Sequence, residues 1–347
     1  MMLNRRDFLQ GSLLLTAGFG GVRHALGAGQ SSVNLTPAAF IEISSDSRVR
    51  VWVNKSEMGQ GVLTALPQIV ADELGAAWEM VHVEKAPFAR KFFDPVSNSM
   101  DTGGSTSVRH MWQPLREAAA AARMMLVTAA AQSWGLSEGQ VSLEGGELRG
   151  PAGRIASMGS MVAAAARLPV PGKPALRQDH ALVGKAWPRV DIDDKVTGRA
   201  LFSCDIRLPG MLVAVLAHPP RFGARVAHLD ASKARAVPGV RHVVQIPQGV
   251  AVVADDTMAA IRGRAALGVQ WAGGEMALDD EALHQSLTRA LEQPGLVARQ
   301  GSQPTGPQLV AAEYRVPYLA HVPMEPLNCI IDLRQDHCHI IVGTQDP

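Results

Sequence analysis

Apolar and polar residues alternate over Phe40 to Ile43 and again over Arg48 to Val53, with the polar stretch Ser44 to Ser47 between them. Alternation of this kind marks a strand with one buried face, so the segment predicts a strand pair joined by a turn. The period then changes. Leu63, Leu66, Ile69, Val70 and Leu74 recur at helical spacing, which predicts a helix that opens near Gly61 and is closed by Gly75. Pro67 suits that helix only in its first turn or at a kink. A strand over Met80 to Glu84 leads into a polar, glycine-punctuated loop from Pro87 to Gly104, and an alanine-rich helix follows from Ser105 to Ser133. Loops of that length inside a compact domain are more often functional than idle.

The stretch Leu168-Pro169-Val170-Pro171-Gly172-Lys173-Pro174 cannot hold a helix and reads as an extended linker. From Pro188 to Ala272 short strands and helices alternate: Met211 to Ala217, Ala231 to Arg235, His242 to Ile246, Val250 to Ala254 and Asp256 to Ala266. This predicts a small mixed unit. Asp279 to Glu292 predicts a helix capped by aspartate, a second linker covers Gln300 to Gln308, and Leu309 to Pro347 reads as strand-rich. The fold class expected is α+β, with a leader over 1–29, a first domain over 30–168, a linker over 169–187, a second domain over 188–299 and the start of a third over 309–347.

Composition narrows the function. A chain of 347 residues, 47% of them hydrophobic, can bury more than one core. The formal net charge is +1 and basic residues are scattered, so nucleic acid is set aside as a partner. Cys204, Cys329 and Cys338 form no CxxC pair, which leaves neither a disulfide framework nor a zinc site, and an iron-sulfur cluster ordinarily takes four thiolates. His337-Cys338-His339 reads as ordinary strand, because alternate residues face opposite sides. No metal site is expected from these residues.

Asn4-Arg5-Arg6-Asp7-Phe8-Leu9-Gln10, the apolar run Leu13 to Phe19 and the small residues around Ala25-Leu26-Gly27-Ala28 follow the grammar of an export signal. The paired arginines resemble a twin-arginine signal, which implies a protein exported to the periplasm, where peripheral attachment to the inner membrane is left open. Gly18-Phe19-Gly20-Gly21 falls inside that leader and is discarded as a phosphate loop. No later run approaches the length of a bilayer span, so no transmembrane helix is expected in the mature chain.

Four segments carry the chemistry. Glu57-Met58-Gly59-Gln60-Gly61 lies between a strand and a helix, where glycines admit a ligand and a helix start offers free amide donors to an anion. Thr102-Gly103-Gly104-Ser105-Thr106-Ser107 opens the second long helix in the same way. Either alone is as well read as a tight connection; together they suit a polyanionic cofactor, each dipole contributing roughly 0.3–2 kcal/mol. The third segment is Lys195-Val196-Thr197-Gly198-Arg199-Ala200 with Asp205-Ile206-Arg207-Leu208-Pro209-Gly210-Met211-Leu212 and Pro238-Gly239-Val240. It is similar to the a/b hammerhead domain of the xanthine dehydrogenase and aldehyde oxidase family. The fourth, Pro317-Tyr318-Leu319-Ala320-His321 with Met324-Glu325-Pro326-Leu327-Asn328-Cys329 and Thr344-Gln345, resembles the start of that family's molybdenum-binding domain.

The resemblance covers essentially the whole mature chain. The order of segments is most similar to the family's branch of isoquinoline 1-oxidoreductase β-subunits, which includes nicotinate and aldehyde oxidoreductases. It implies a molybdopterin cytosine dinucleotide-type molybdenum cofactor, contacted by Met58, Gly59 and Gln60, lined by Gly103, Gly104 and Ser105, and met at an oxo ligand by the Gln345 amide. A neutral amide can donate there without adding charge or competing as a ligand. His321 and Glu325 are left out of the catalytic set. The resemblance further implies a small 2Fe-2S subunit and a c-type cytochrome as electron acceptors, and a nitrogen heteroaromatic or an aldehyde as substrate. The general-base glutamate of the family is expected beyond Pro347, as are its Gly-Gly-Gly-Phe-Gly loop and late Gly-Glu-Pro-Gly region. The chain alone is therefore expected to be inactive. It would be a fragment of a large subunit or one half of a split one, the alternative being a non-catalytic binding or assembly module or a pseudogene remnant.

Overall fold

The computed structural model describes residues 35–274, 279–296, 301, 310 and 312–347. The expected leader over 1–29 and most of the expected second linker lie outside them. The described chain forms two compact units, the first reaching to Ser203 and including Asn328–Pro347, the second Cys204–Leu327.

In the first unit, strands β1 (Leu35–Ala38), β2 (Ile41–Ile43), β3 (Val49–Val53) and β4 (Val81–Lys85) form one sheet in that order. The β2–β3 pair is the strand pair read from the alternation, with Ile41 opposite Val51 and Ile43 opposite Val49. Val49, Val51 and Val53 are buried while Arg50 and Trp52 point to the other face, as a period of two requires. Strand β4 runs parallel to β3, and parallel neighbours need a crossover. That crossover is helix α1 (Val62–Leu74), which ends at Gly75 with φ 82°. Pro67 lies in the second turn rather than the first, where it lacks the N–H that would donate back to Leu63.

Helix α2 (Ser107–Trp134) lies against α1. Ala118 to Ala122 are all buried, so this part of the helix is enclosed on every side, and only small side chains allow that closeness. The chain continues through the antiparallel sheet β5 (Ser142–Glu144), β6 (Glu147–Arg149) and β7 (Ile155–Ser157), then α3 (Met158–Ala165) and the short α4 (Ile192–Val196). Gly159 near the start of α3 donates its N–H to the buried Ser47 hydroxyl at 2.9 Å. A Cβ there would strike the Ser45 carbonyl and the Ser47 amide, both backbone and unable to turn away. Gly159→Ala is expected to lower stability by about 1–3 kcal/mol, seen as a lower urea midpoint.

The second unit holds β8 (Val213–Ala217), β9 (Ala224–Asp230), α5 (Ser232–Arg235), β10 (Val240–Ile246), β11 (Gly249–Ala254), α6 (Thr257–Ala265), β12 (Gly268–Gly273) and α7 (Asp280–Leu291). One sheet runs β10-β11-β8 and a second pairs β12 with β9. Asp279 caps α7 as expected, accepting from the Ala282 N–H at 2.6 Å. The remaining strands, β13 (Cys329–Leu333) and β14 (Cys338–Val342), form a hairpin of the first unit. The expectation of a strand-rich segment from Leu309 is corrected: residues 312–328 form neither strand nor helix. Pro317, Pro323 and Pro326 remove ladder donors there. Among the described residues no helix is long and apolar enough to cross a membrane.

Candidate functional site

The carboxyl end of a parallel strand is where open mixed sheets tend to take ligands, and the chain leaving β3 meets a buried charge first. Lys55 Nζ lies 2.8 Å from Asp94 Oδ2 with both side chains wholly buried, and it also donates to the Asp101 carbonyl at 2.9 Å. The same Asp94 oxygen meets His110 Nδ1 at 3.1 Å, and the other accepts from the Val96 N–H at 2.8 Å. One carboxylate thus ties the β3–α1 loop to the 87–104 loop and to the first turn of α2. Burial alone would raise the Asp94 carboxyl, but Lys55 and the Val96 and Ser97 amides outweigh it and hold it below its ordinary value.

On this base the predicted segments meet. The Ser56 N–H donates to the Thr102 hydroxyl at 2.8 Å. Thr102 donates its own N–H to the Gln345 carbonyl at 2.7 Å. Gln345 Nε2, 243 residues along the chain, donates back to the Thr102 carbonyl at 2.6 Å, and the Ser56 hydroxyl donates to the Thr344 carbonyl at 2.7 Å. Two glycine-rich helix starts and Thr344-Gln345 therefore converge in one place within the first unit.

The two helix starts are not equivalent. At α1 the expectation of free amide donors is overturned: the Glu57 carboxylate accepts from Gly59 at 2.8 Å, Gly61 at 2.9 Å and Leu63 at 3.0 Å. The chain's own carboxylate supplies the negative charge that a helix N-terminus favours. Burial would raise the Glu57 carboxyl, yet these amides and Arg189, 3.2 Å away, hold it below the usual range. Helix α2 is left open. Thr106 at its start makes no side-chain cap, its hydroxyl being turned to the Gly103 carbonyl at 2.8 Å. Gly104 and Ser105 both take left-handed backbone, with φ 58° and 55°. For Ser105 that costs roughly 1–2 kcal/mol, a form of strain that clusters at ligand sites.

Space remains around these segments. A Cβ on Gly59, Gly61 or Gly103 would meet nothing within 4 Å, and Met58 is 54% exposed. Gln60 is folded onto its own loop, donating to the Ser56 carbonyl at 2.8 Å and accepting from the Met58 N–H at 2.6 Å. Among the described residues no group of three or more His, Cys, Asp or Glu could hold a metal ion. Lys55, Asp94 and Arg189 escaped the sequence reading. A lysine two residues past a buried strand was a visible signal for the first; nothing local marks the other two.

Three lowered carboxylates, Asp94, Glu57 and Asp72, make acid sensitivity a prediction. Each has a folded value below its unfolded one, so its contribution is complete above about pH 4.5 and is lost as pH falls through the folded value, where the unfolded state binds more protons. Unfolding free energy should fall with pH below that point by at most about 1.4 kcal/mol per unit for each group. Urea titrations between pH 7 and 3 would read this; a flat profile would contradict it.

A family model described as a molybdopterin cofactor-binding domain matches residues 7–196, more than half of the chain and both glycine-rich segments. The chain belongs to that family. It is 33% identical over 313 residues to the beta subunit of isoquinoline 1-oxidoreductase from Brevundimonas diminuta, covering 78% of this chain and 40% of that protein. It is 30% identical over 340 residues to the membrane-bound aldehyde dehydrogenase (pyrroloquinoline-quinone) of Gluconacetobacter polyoxogenes, covering 89% and 42%. It is also 30% identical over 331 residues to a nicotinate dehydrogenase subunit of Pseudomonas putida, covering 89% and 27%. The chain spans less than half the length of each of these relatives.

Proposed function

We propose that the chain is the N-terminal part of a molybdenum hydroxylase large subunit that acts on a nitrogen heteroaromatic or an aldehyde, with water as the oxygen source. The observation that carries this is the bonding of Thr344-Gln345 to Thr102 and Ser56, which brings Gln345 to both glycine-rich segments. Residues present here suit a molybdopterin cofactor, on this reading one of the cytosine dinucleotide type. The uncapped start of α2 at Gly103-Gly104-Ser105 suits an anionic group, and open space flanks Gly59 and Gly103. The exposed thioether of Met58 suits a flat, polarisable ring, and Gln345 is a neutral amide with one N–H beyond the one it gives to Thr102. When bound, the cofactor supplies the two-electron chemistry; these residues bind and orient it, while Glu57 reserves α1 from external anions.

On this reading residues 188–299 form the a/b hammerhead domain, 30–168 the cofactor-contacting domain joined to it by 169–187, and 309–347 the start of the molybdenum-binding domain. Residues 1–29 direct twin-arginine export to the periplasm. A small 2Fe-2S subunit and a c-type cytochrome receive the electrons, and the general-base glutamate comes from polypeptide that continues this one or from a second chain. Reading the gene past codon 347 in all three frames tests the proposal. A Gly-Gly-Gly-Phe-Gly loop and a late Gly-Glu-Pro-Gly region are expected downstream or in an adjacent frame; their absence would reduce the chain to a non-catalytic module.

A further inference from the structure

A strap of irregular chain in the first unit descends α1 from its C-terminal to its N-terminal end. The Arg177 N–H donates to Glu73 at 2.8 Å, and the Ala181 and Leu182 amides donate to Asp72 Oδ1 at 2.7 and 2.6 Å. Gln68 donates to the Leu182 carbonyl at 2.7 Å, and the Val190 N–H donates to the Thr64 hydroxyl at 3.1 Å. Thr64, Gln68 and Asp72 are spaced by four and so share one helix face. The strap thereby arrives at the start of α1 in a fixed register, carrying Arg189. Asp191 holds that guanidinium at 3.0 and 2.9 Å. One arm of the fork donates to the Gly59 carbonyl at 2.8 Å, and the other to Glu57 Oε1 at 3.2 Å.

We propose that Arg189 is a positioning residue that sets the shape of the Met58-Gly59-Gln60 loop before any cofactor arrives. Its relevance to cofactor binding rests on the reading above, but its hold on the loop does not. Glu57 accepts three amides with its side chain only 5% exposed, and a carboxylate so enclosed needs a counter-charge. Gly59 at φ 103° occupies backbone closed to other residues, and its carbonyl is pinned by the same guanidinium. A planar fork meets both acceptors at once; a lysine ammonium on a flexible stem is not built to span them. Met58 and Gln60 flank the pinned carbonyl, so their direction follows from it.

The test uses the 347-residue chain with Arg189→Met and Arg189→Lys, reading amide hydrogen exchange residue by residue. In Arg189→Met the Gly59, Gly61 and Leu63 amides should exchange about tenfold faster, as loss of a charge-assisted bond implies, while Val51 in β3 and Leu126 in α2 keep their rates. Arg189→Lys should recover part of that protection, because it restores the charge beside Glu57. Unchanged loop rates, or equal acceleration at Val51 and Leu126, would overturn the proposal. If Arg189→Met does not fold, Asp191→Asn loosens the same guanidinium and should give a smaller acceleration confined to the loop; none there would also overturn it. Pterin released from the wild-type chain, purified with the polypeptide that completes it from a host that makes molybdenum cofactor, is assayed in parallel: its absence would count against the cofactor reading alone, since the exchange rates are read without it.

Discussion

Replacing Lys55 by methionine should lower the stability of the first unit by about 3–5 kcal/mol, because it leaves Asp94 charged, buried and without its closest cation. The aspartate would keep the Val96 and Ser97 amides and His110, which is why complete unfolding is not the expected result. The attached loops should suffer first. Asp94 ties the 87–104 loop to the strand end, so the glycine-rich turn at Thr102 should lose its register with the Ser56 loop. Adding Asp94→Asn to Lys55→Met should restore part of the stability, since no lone charge then remains. Urea unfolding of the two variants and the parent measures both effects; a loss under about 1 kcal/mol for Lys55→Met would show that water reaches the pair.

Glu73→Ala should be nearly as costly, by about 3 kcal/mol or more. Glu73 is 1% exposed and accepts from Arg116 Nε and Arg123 Nη1, each at 2.8 Å, and from the Arg177 N–H at the same distance. Burial already pushes the Arg123 guanidinium below its ordinary value against the pull of Glu73, so removing the carboxylate leaves two largely enclosed cations without their shared partner. The strap would also lose its upper anchor. Trypsin should then cut after Arg177 much faster than in the parent chain; unchanged cleavage together with an unchanged urea midpoint would contradict this account.

Much of the first unit was legible in its periodicities. The β2–β3 pair and α1 with its glycine stop follow from regular placement of apolar side chains over enough residues to establish a period, and the long α2 was read from its alanine-rich composition. Strands β5, β6 and β7 were not, because three residues each are too few for alternation to show. Strand β9 and its partner β12 were also missed. A register shift between Gln270 and Trp271 interrupts the pairing, and the alternation breaks with it.

The candidate site was legible in its members and not in its wiring. Glycine-rich turns before helices announced Gly59 and Gly103, and the family resemblance added Gln345. That Glu57 would turn back and cap its own helix could not be read from spacing, since the same five residues also suit an open anion site. Arg189 reaches Gly59 from 130 residues away, through a proline-flanked strap whose register is set by α1. The expectation of a plain linker over 169–187 and of a second domain from 188 concealed it, because tertiary hydrogen bonds to Gln68, Asp72 and Glu73, rather than local propensity, fix the chain that leads to it.

On the proposed reading the open start of α2 and Gln345 form one wall of a cofactor cradle. Its most direct measurement is the pterin and molybdenum content of the chain, purified with whatever polypeptide completes it from a host that makes molybdenum cofactor, and compared with a Gly103→Val variant. A side chain at Gly103 would enter space that is open in the protein alone. The expected result is therefore a normally folded variant with at least about tenfold less bound pterin, the scale of 1.4 kcal/mol or more of lost binding. Equal pterin in both proteins would place the cofactor elsewhere and contradict the claim.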